Sequence, residues 1–144
     1  MIEESINVHA PPDVVFKAYV EAIDNWWPRV GTYRYSFAPP HTEPSSIQFE
    51  PELGGRFFER YADGTEYDIG RIERFDPPRS LAYTWRAPEW EVATLVEVTF
   101  KDIDGDTQVT VVHRNLPDDL AEGYAVGLRE ILVAFAERMR RNGT

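Results

Sequence analysis

The chain has 144 residues, of which 42% are hydrophobic, 13% aromatic and 28% charged, and its formal net charge is -10. This length and composition predict one globular domain over residues 1–144 and exclude a disordered or fibrous protein. The negative charge disfavours sequence-independent binding to nucleic acid or to an anionic membrane, because both partners would repel the protein. Cysteine is absent, so disulfides and thiolate metal sites are excluded and a cytoplasmic location is expected.

The amino-terminal region predicts one strand followed by two helices. Residues 2–10 alternate between apolar and polar side chains, which is typical of a strand. The sequence Pro11-Pro12-Asp13 ends this strand and begins a helix, since proline is tolerated in a first helical turn and aspartate suits its positive dipole end. Apolar residues continue at helical spacing as far as Ile23. A second short helical segment carries Trp26-Trp27 and ends at Pro28.

The next segment, residues 29–44, has no sustained periodicity and is predicted to be a loop. It contains Tyr33, Tyr35 and Phe37 among prolines and serines. Because a loop with this many aromatic rings would expose much apolar surface, we expect it to pack as a flap over an apolar space.

The stretch from Gly54 to Trp85 predicts three consecutive antiparallel strands, after a first short strand at residues 46–50. Asp63-Gly64 is a strong hairpin signal, because both residues accept a positive φ at low cost. The alternation of apolar residues reverses at Gly70, between Ile69 and Ile72. A glycine inside a strand often marks a bulge, so we expect Gly70 to curve the sheet.

The carboxyl-terminal part predicts a hairpin and one long helix. Residues 91–101 and 107–114 alternate on either side of a turn that contains Gly105. Apolar residues then recur every three or four positions over 118–141, and Asn142-Gly143 is a typical helix stop. The order of elements predicts an α+β fold, in which a curved antiparallel sheet of about six or seven strands wraps around the last helix.

Several short motifs resemble one known family. In chain order they are Pro12-Asp13-Val14-Val15-Phe16, Trp26-Trp27-Pro28, Gly54-Gly55-Arg56, Asp63-Gly64, Gly70-Arg71-Ile72, Asp76-Pro77-Pro78, Leu81, Trp85 and the segment 94–100. Together they cover nearly the whole chain and resemble the START-like helix-grip (SRPBCC) superfamily, in the branch similar to the activator of heat-shock-protein-90 ATPase. The resemblance implies a helix-grip fold with a cavity between the long helix and the sheet. It implies no common reaction, because fold does not determine function.

The chain departs from this family at two places. Related sequences commonly have a Gly-Trp pair in the last helix, where this chain has Gly127-Leu128. They also often have a bulkier residue at the end of the last strand, where this chain has Asn115-Leu116. Both differences fall near the expected cavity wall, so the ligand of a relative does not transfer to this chain.

Aromatic residues are the main signal for a binding site, since small-molecule sites have mostly apolar walls and a few polar anchors. The alternative is that the same residues only fill the core, which is their usual role. Arg56, Arg71 and Arg86 are further candidate polar anchors. The residues expected to line a ligand cavity are Trp26, Trp27, Phe37, Phe57, Tyr67, Tyr83, Trp85, Trp90, Val98, His113, Tyr124, Leu128 and Phe135.

His113 is the histidine of interest, because it shares strand parity with Val109 and Val111 and is expected to point inward. A structural role for this histidine remains the alternative, since no catalytic partner is evident in the sequence. No metal-binding, nucleotide-binding or nucleophile motif is present, so no metal, cofactor or catalytic residue is predicted.

The sequence leaves three functions open. The first is a non-catalytic domain that binds a small hydrophobic or aromatic molecule, without nucleic acid and without membrane insertion. The second is an enzyme of the cyclase or dehydratase type that uses the cavity, with His113 and a tyrosine as acid and base. The third is a protein-interaction domain that regulates a chaperone, with an unidentified protein partner.

Overall fold

The computed structural model describes residues 1–142, so the predicted helix stop at Gly143 lies outside the described residues. Seven strands and three helices are formed within them. The strands are β1 (Ile2–Val8), β2 (Pro44–Phe49), β3 (Arg56–Tyr61), β4 (Glu66–Asp76), β5 (Ser80–Trp85), β6 (Thr94–Ile103) and β7 (Asp106–Arg114). The helices are α1 (Pro12–Glu21), α2 (Ile23–Trp26) and α3 (Asp118–Asn142).

The strands form one antiparallel sheet in the order β1-β7-β6-β5-β4-β3-β2. Strands β2 to β7 are therefore joined to their chain neighbours, while β1 pairs with β7 at the far edge. The sheet curls into a half-barrel around α3, and the two short helices follow β1. The predicted α+β helix-grip architecture is confirmed.

Gly70 disrupts the pairing of β4 in the way that the sequence predicts. Phe57 of β3 pairs with Gly70 but Phe58 pairs with Asp68, so Ile69 is an extra residue in β4. A Cβ atom on Gly70 would lie 1.8 Å from the carbonyl oxygen of Thr84 on β5, which leaves no room for a side chain. Because of this bulge, residues on either side of it with opposite parity can both point into the interior. The predicted bulge is confirmed.

The solid part of the core lies at one end of the half-barrel, beneath α1 and α2. Tyr19 of α1 is in the middle, with its ring centroid 5.0 Å from that of Trp26 and 5.5 Å from that of Phe135 on α3. Phe16 packs edge-on against Phe100 at 5.0 Å. Phe135, which makes these contacts with Tyr19 and Trp26, lies in the carboxyl-terminal half of α3.

Within residues 1–142, no helix combines the length and the apolar content that crossing a membrane requires.

Candidate functional site

A partly open cavity of about 350 Å³ lies beneath the amino-terminal half of α3. Its walls are the concave face of the sheet, α3, and the aromatic loop after α2, residues 29–43, which we call the strap. The lining residues are mostly apolar or aromatic. They are Tyr19, Trp27, Tyr33, Arg34, Tyr35, Ser36, Phe37, Ile47, Glu59, Ile69, Tyr83, Trp85, Val96, Val111, His113, Asp119, Leu120, Gly123, Tyr124, Gly127, Leu128 and Ile131.

Two glycines on α3 keep the cavity open beside the strap. A Cβ atom on Gly123 would lie 3.5 Å from the hydroxyl of Tyr33, and one on Gly127 would lie 3.7 Å from the ring of Tyr35. These are ordinary contact distances, so a methyl group would fit at either position but a large side chain would enter the cavity. The two glycines therefore leave the space beneath α3 free of side-chain atoms.

The strap is tied to α3 through one carboxylate. The backbone N–H of Thr32 donates to Glu130 Oε1 at 3.0 Å, its hydroxyl donates to Oε2 at 2.6 Å, and the Tyr35 hydroxyl also donates to Glu130. Trp27 Nε1 donates to the carbonyl oxygen of Tyr35 at 2.8 Å. These hydrogen bonds hold the strap across the cavity.

Glu59 is a buried carboxylate in the cavity wall, with 1% of its surface exposed. Its Oε1 atom accepts hydrogen bonds from the backbone N–H of Phe37 at 2.7 Å and from the Tyr61 hydroxyl at 3.0 Å. No ion pair to Glu59 is formed within residues 1–142. Burial raises the pKa of Tyr61 well above its ordinary value, and the negative charge of Glu59 raises it further. Tyr61 therefore stays protonated and remains a hydrogen-bond donor.

His113 lies at the opposite side of the cavity, on β7, with 6% of its surface exposed. Thr94 donates its hydroxyl proton to the carbonyl oxygen of Trp85 at 2.9 Å, and its oxygen lies 2.7 Å from His113 Nε2. Since the threonine has only one proton, Nε2 must carry the proton of this contact, and Nδ1 is the unprotonated nitrogen. Burial lowers the pKa of His113 to about 4, with a smaller contribution from the positive amino terminus. The ring is therefore neutral at physiological pH.

Two tyrosine hydroxyls meet at the wall between the cavity and the solid core. The hydroxyl oxygens of Tyr19 and Tyr83 lie 3.0 Å apart and share a hydrogen bond. Burial raises the pKa of Tyr19 to about 12 against the lowering effect of the hydrogen bond to Tyr83, and burial also raises the pKa of Tyr83. Both stay protonated, so one of their two protons remains for another acceptor.

The thirteen residues predicted for the cavity divide into two groups. Seven of them line it, namely Trp27, Phe37, Tyr83, Trp85, His113, Tyr124 and Leu128. The other six, Trp26, Phe57, Tyr67, Trp90, Val98 and Phe135, are not among the lining residues.

The residues of the second group lie in the core or behind the cavity wall. Trp26 faces Phe135, with their ring centroids 4.8 Å apart, because α2 turns this tryptophan toward the solid core. Phe57 stacks on Phe49 at 4.4 Å, and Val98 is fully buried in the middle of the sheet.

The two remaining aromatic rings support residues of the wall from outside. Tyr67 packs edge-on against Phe37 at 5.6 Å, and its hydroxyl donates to the carbonyl oxygen of Arg86. Trp90 packs against Tyr124 at 5.8 Å.

None of the three arginines considered as polar anchors lines the cavity. Arg56 lies over the ring of Phe58 at 3.9 Å and pairs with Asp68 at 2.7 Å, on the outer face of the sheet. Arg71 also pairs with Asp68, and Arg86 donates to the carbonyl oxygen of Trp90. The expectation for these arginines is wrong, because acidic and backbone groups outside the cavity bind their guanidinium groups.

Glu59 is the functional candidate that sequence reasoning missed. It shares strand parity with Phe57 and Tyr61, both of which are buried, and this parity is the sequence signal for an inward side chain. The sequence predicts that Tyr33 and Tyr35 belong to a flap, but their positions beside Gly123 and Gly127 depend on the tertiary structure.

The curved sheet, the central helix and the cavity between them define a START-like helix-grip protein. The family model described as "Activator of Hsp90 ATPase homolog 1-like protein" matches residues 9–140. The chain belongs to this family. No curated protein sequence matches the chain.

Solved structures with the same fold belong to proteins of different kinds. The anthrahydroquino-gamma-pyrone synthase Txn09 is 28% identical, with a TM-score of 0.60 and 94% of each chain covered. CalU16 from Micromonospora echinospora is 21% identical, with a TM-score of 0.67, and the match covers 96% of this chain and 73% of that one. The Aha1 dimer from Colwellia psychrerythraea is 14% identical, with a TM-score of 0.71 and coverage of 96% and 94%. Because the last two structures are less than 25% identical in sequence, their likeness establishes only a shared fold.

Proposed function

We propose that this protein binds a small aromatic molecule in the cavity beneath α3. The observation that carries the proposal is the cavity itself, which has a volume of about 350 Å³ and aromatic residues on every wall. Pockets for small molecules typically measure roughly 300 to 1,000 Å³ and combine apolar walls with a few polar groups. The cavity is at the small end of this range and has that composition.

Apolar burial would provide most of the affinity. A fused two-ring ligand presents about the area of a tryptophan side chain, roughly 250 Å². At roughly 25 cal/mol per Å², its burial contributes about 6 kcal/mol, which corresponds to a dissociation constant of tens of micromolar from apolar burial alone. Ordering of the ligand and the strap lowers this affinity.

A cavity-blocking variant tests the proposal. Binding of 2-naphthol is measured by isothermal titration calorimetry to the wild type, to Gly127→Trp and to Gly127→Ala. The methyl group of alanine fits beside Tyr35, whereas an indole enters the cavity. We expect wild type and Gly127→Ala to bind alike and Gly127→Trp not to bind. Equal binding by all three would place the ligand elsewhere, and an absence of binding by folded wild type would overturn the proposal.

A synthase-type reaction is the second candidate, favoured by the 28% identity to Txn09. The acid or base in this chain would be His113. Its pKa of about 4 makes it a weak base, because proton transfer is most efficient when the pKa of the base is near the working pH. The residues of this cavity therefore support binding better than proton transfer. Incubation with an aromatic polyketide hydroquinone, followed by mass spectrometry, tests the reaction; a new product that His113→Gln abolishes would establish it.

A protein partner and the cellular location of the chain remain to be tested. Large apolar side chains that are exposed, such as Val30, Leu53 and Val92, lie on three separate loops, and an unidentified protein partner stays a prediction. A cytoplasmic location stays a prediction.

A further inference from the structure

Glu59 gives the cavity one charged polar group whose hydrogen bonding is incomplete. Both donors that reach it, the N–H of Phe37 and the hydroxyl of Tyr61, bind the same oxygen, Oε1. Within residues 1–142, no hydrogen bond reaches Oε2. A carboxylate oxygen can accept two hydrogen bonds, so Oε2 has its full capacity left.

The free oxygen borders the cavity. Among the described residues, Arg138 Nε is the only side-chain nitrogen or oxygen that is both sealed from solvent and unpaired. Oε2 is unpaired as well, so it must contact open space. Since Glu59 is 1% exposed and lines the cavity, that open space is the cavity.

The charge on Glu59 is not neutralised by a direct contact. No ion pair to this residue is formed within residues 1–142, and the nearby Arg34 is exposed and donates to the carbonyl oxygen of Ala38 at 2.9 Å. A buried charge is costly unless it is hydrogen-bonded. A ligand that donates a hydrogen bond to Oε2 would stabilise this carboxylate, whereas a ligand carboxylate would be repelled.

His113 adds a second acceptor to the same cavity. Its Nε2–H is used by Thr94, and no hydrogen bond from the described residues reaches Nδ1. An unprotonated imidazole nitrogen accepts a hydrogen bond. A ligand with a hydroxyl group suits this side of the cavity as well.

We infer that Glu59 is a specificity-determining residue, which selects neutral aromatic ligands that carry a phenolic hydroxyl and rejects aromatic carboxylates. The inference rests on the proposed function and names the ligand class for the same cavity. The hydroxyl donates to Oε2 while the rings pack against the aromatic walls. The pair of Tyr19 and Tyr83 has one proton left, which suits a carbonyl oxygen on the same ligand.

Three probes that differ only in their polar group test the inference by calorimetry. They are 2-naphthol, 2-naphthoate and naphthalene. Naphthalene reports the apolar cavity alone and 2-naphthol adds a donor. 2-Naphthoate adds a negative charge and no donor. Since a hydrogen bond to a charged group is worth more than one between neutral groups, we expect the wild type to bind 2-naphthol about ten-fold or more tightly than 2-naphthoate.

Glu59→Gln replaces the acceptor Oε2 by an N–H donor in a side chain of nearly the same shape. The amide oxygen can still accept from Phe37 and Tyr61, while the amide nitrogen presents a donor to the cavity. We expect 2-naphthol to bind about ten-fold more weakly to this variant and 2-naphthoate to bind more tightly than to wild type. Glu73→Gln makes the same change at an exposed position of β4 and should leave the binding of all three probes unchanged. Circular dichroism confirms that each variant is folded.

The outcomes separate the inference from the proposed function. Naphthalene binding with no preference for 2-naphthol over 2-naphthoate, or a preference that Glu59→Gln leaves intact, overturns the role of Glu59 and leaves the cavity as a binding site. Tighter binding of 2-naphthoate to wild type also overturns it and points to Arg34 as the anchor. If none of the three probes binds folded wild type, both the inference and the proposed function fail.

Discussion

Protonation of His113 should destabilise the fold as the pH falls. The pKa of this histidine is about 4 in the folded protein, against an ordinary value of 6.5 when the chain is unfolded. Between these values the unfolded state binds the proton and the folded state does not. The free energy of unfolding is therefore fully maintained above pH 6.5 and falls as the pH decreases towards 4.

The magnitude follows from the two pKa values. On moving from about pH 7.5 to about pH 4.5, the contribution of His113 to the free energy of unfolding should fall by about 2.5 kcal/mol. Carboxylates with lowered pKa values, such as Glu97 beside Arg114, lose stabilisation in the same direction. A variant without the imidazole is therefore needed to isolate the contribution of this residue.

His113→Gln is the suitable variant, because its amide nitrogen can still donate to Thr94. Urea unfolding at both pH values should give a fall in the free energy of unfolding that is smaller by about 2.5 kcal/mol in His113→Gln than in wild type. His41→Gln, at a side chain that is 71% exposed, is the control and should follow the wild type. Parallel pH dependence of wild type and His113→Gln would refute the argument, since it would mean that His113 is protonated as easily in the fold as in water.

Two further predictions concern the glycines and the strap. Gly70→Ala should lower the free energy of unfolding by about 3 kcal/mol, because its methyl group would clash with the carbonyl oxygen of Thr84. Gly123→Ala should raise the free energy of unfolding by up to about 1 kcal/mol, because alanine has the higher helix propensity. Equal urea midpoints for the two variants would contradict the close packing at Gly70. Glu130→Gln weakens the charged acceptor of the strap, so the amide of Thr32 should exchange with solvent about five-fold faster in NMR hydrogen exchange; an unchanged rate would mean that the strap does not depend on this carboxylate.

Most of the fold is predictable because sheet and helix periodicity survive in the sequence. The bulge at Gly70 is predictable because the apolar residues of β4 change faces there, which requires an extra residue in the strand. The long helix is predictable because apolar residues recur every three or four positions over 118–141. Element ends are less certain. The strand expected from Glu91 begins at Thr94, because residues 91–93 are exposed and follow the bends of the preceding loop. The strand expected from Ser46 begins at Pro44.

The cavity is less predictable, because it depends on which wall each ring faces. Trp26 and Trp27 are neighbours in sequence, yet Trp26 packs against Phe135 in the solid core and Trp27 lines the cavity. Their positions in the sequence do not show which tryptophan faces the cavity, since this depends on where α3 packs. Glu59 was predictable from parity and was missed because a charged residue in a strand usually faces solvent. Its hydrogen bonds with Phe37 and Tyr61 are what make an inward carboxylate tolerable.

The most direct test of ligand binding beneath α3 is a crystal structure of the protein grown with 2-naphthol. We expect electron density for the two rings inside the cavity, between Trp85 and Leu128, with the hydroxyl within hydrogen-bond distance of Glu59 Oε2. A crystal in which the cavity stays without ring density at saturating 2-naphthol, or in which the ligand binds to the outer face of the sheet, would contradict ligand binding beneath α3.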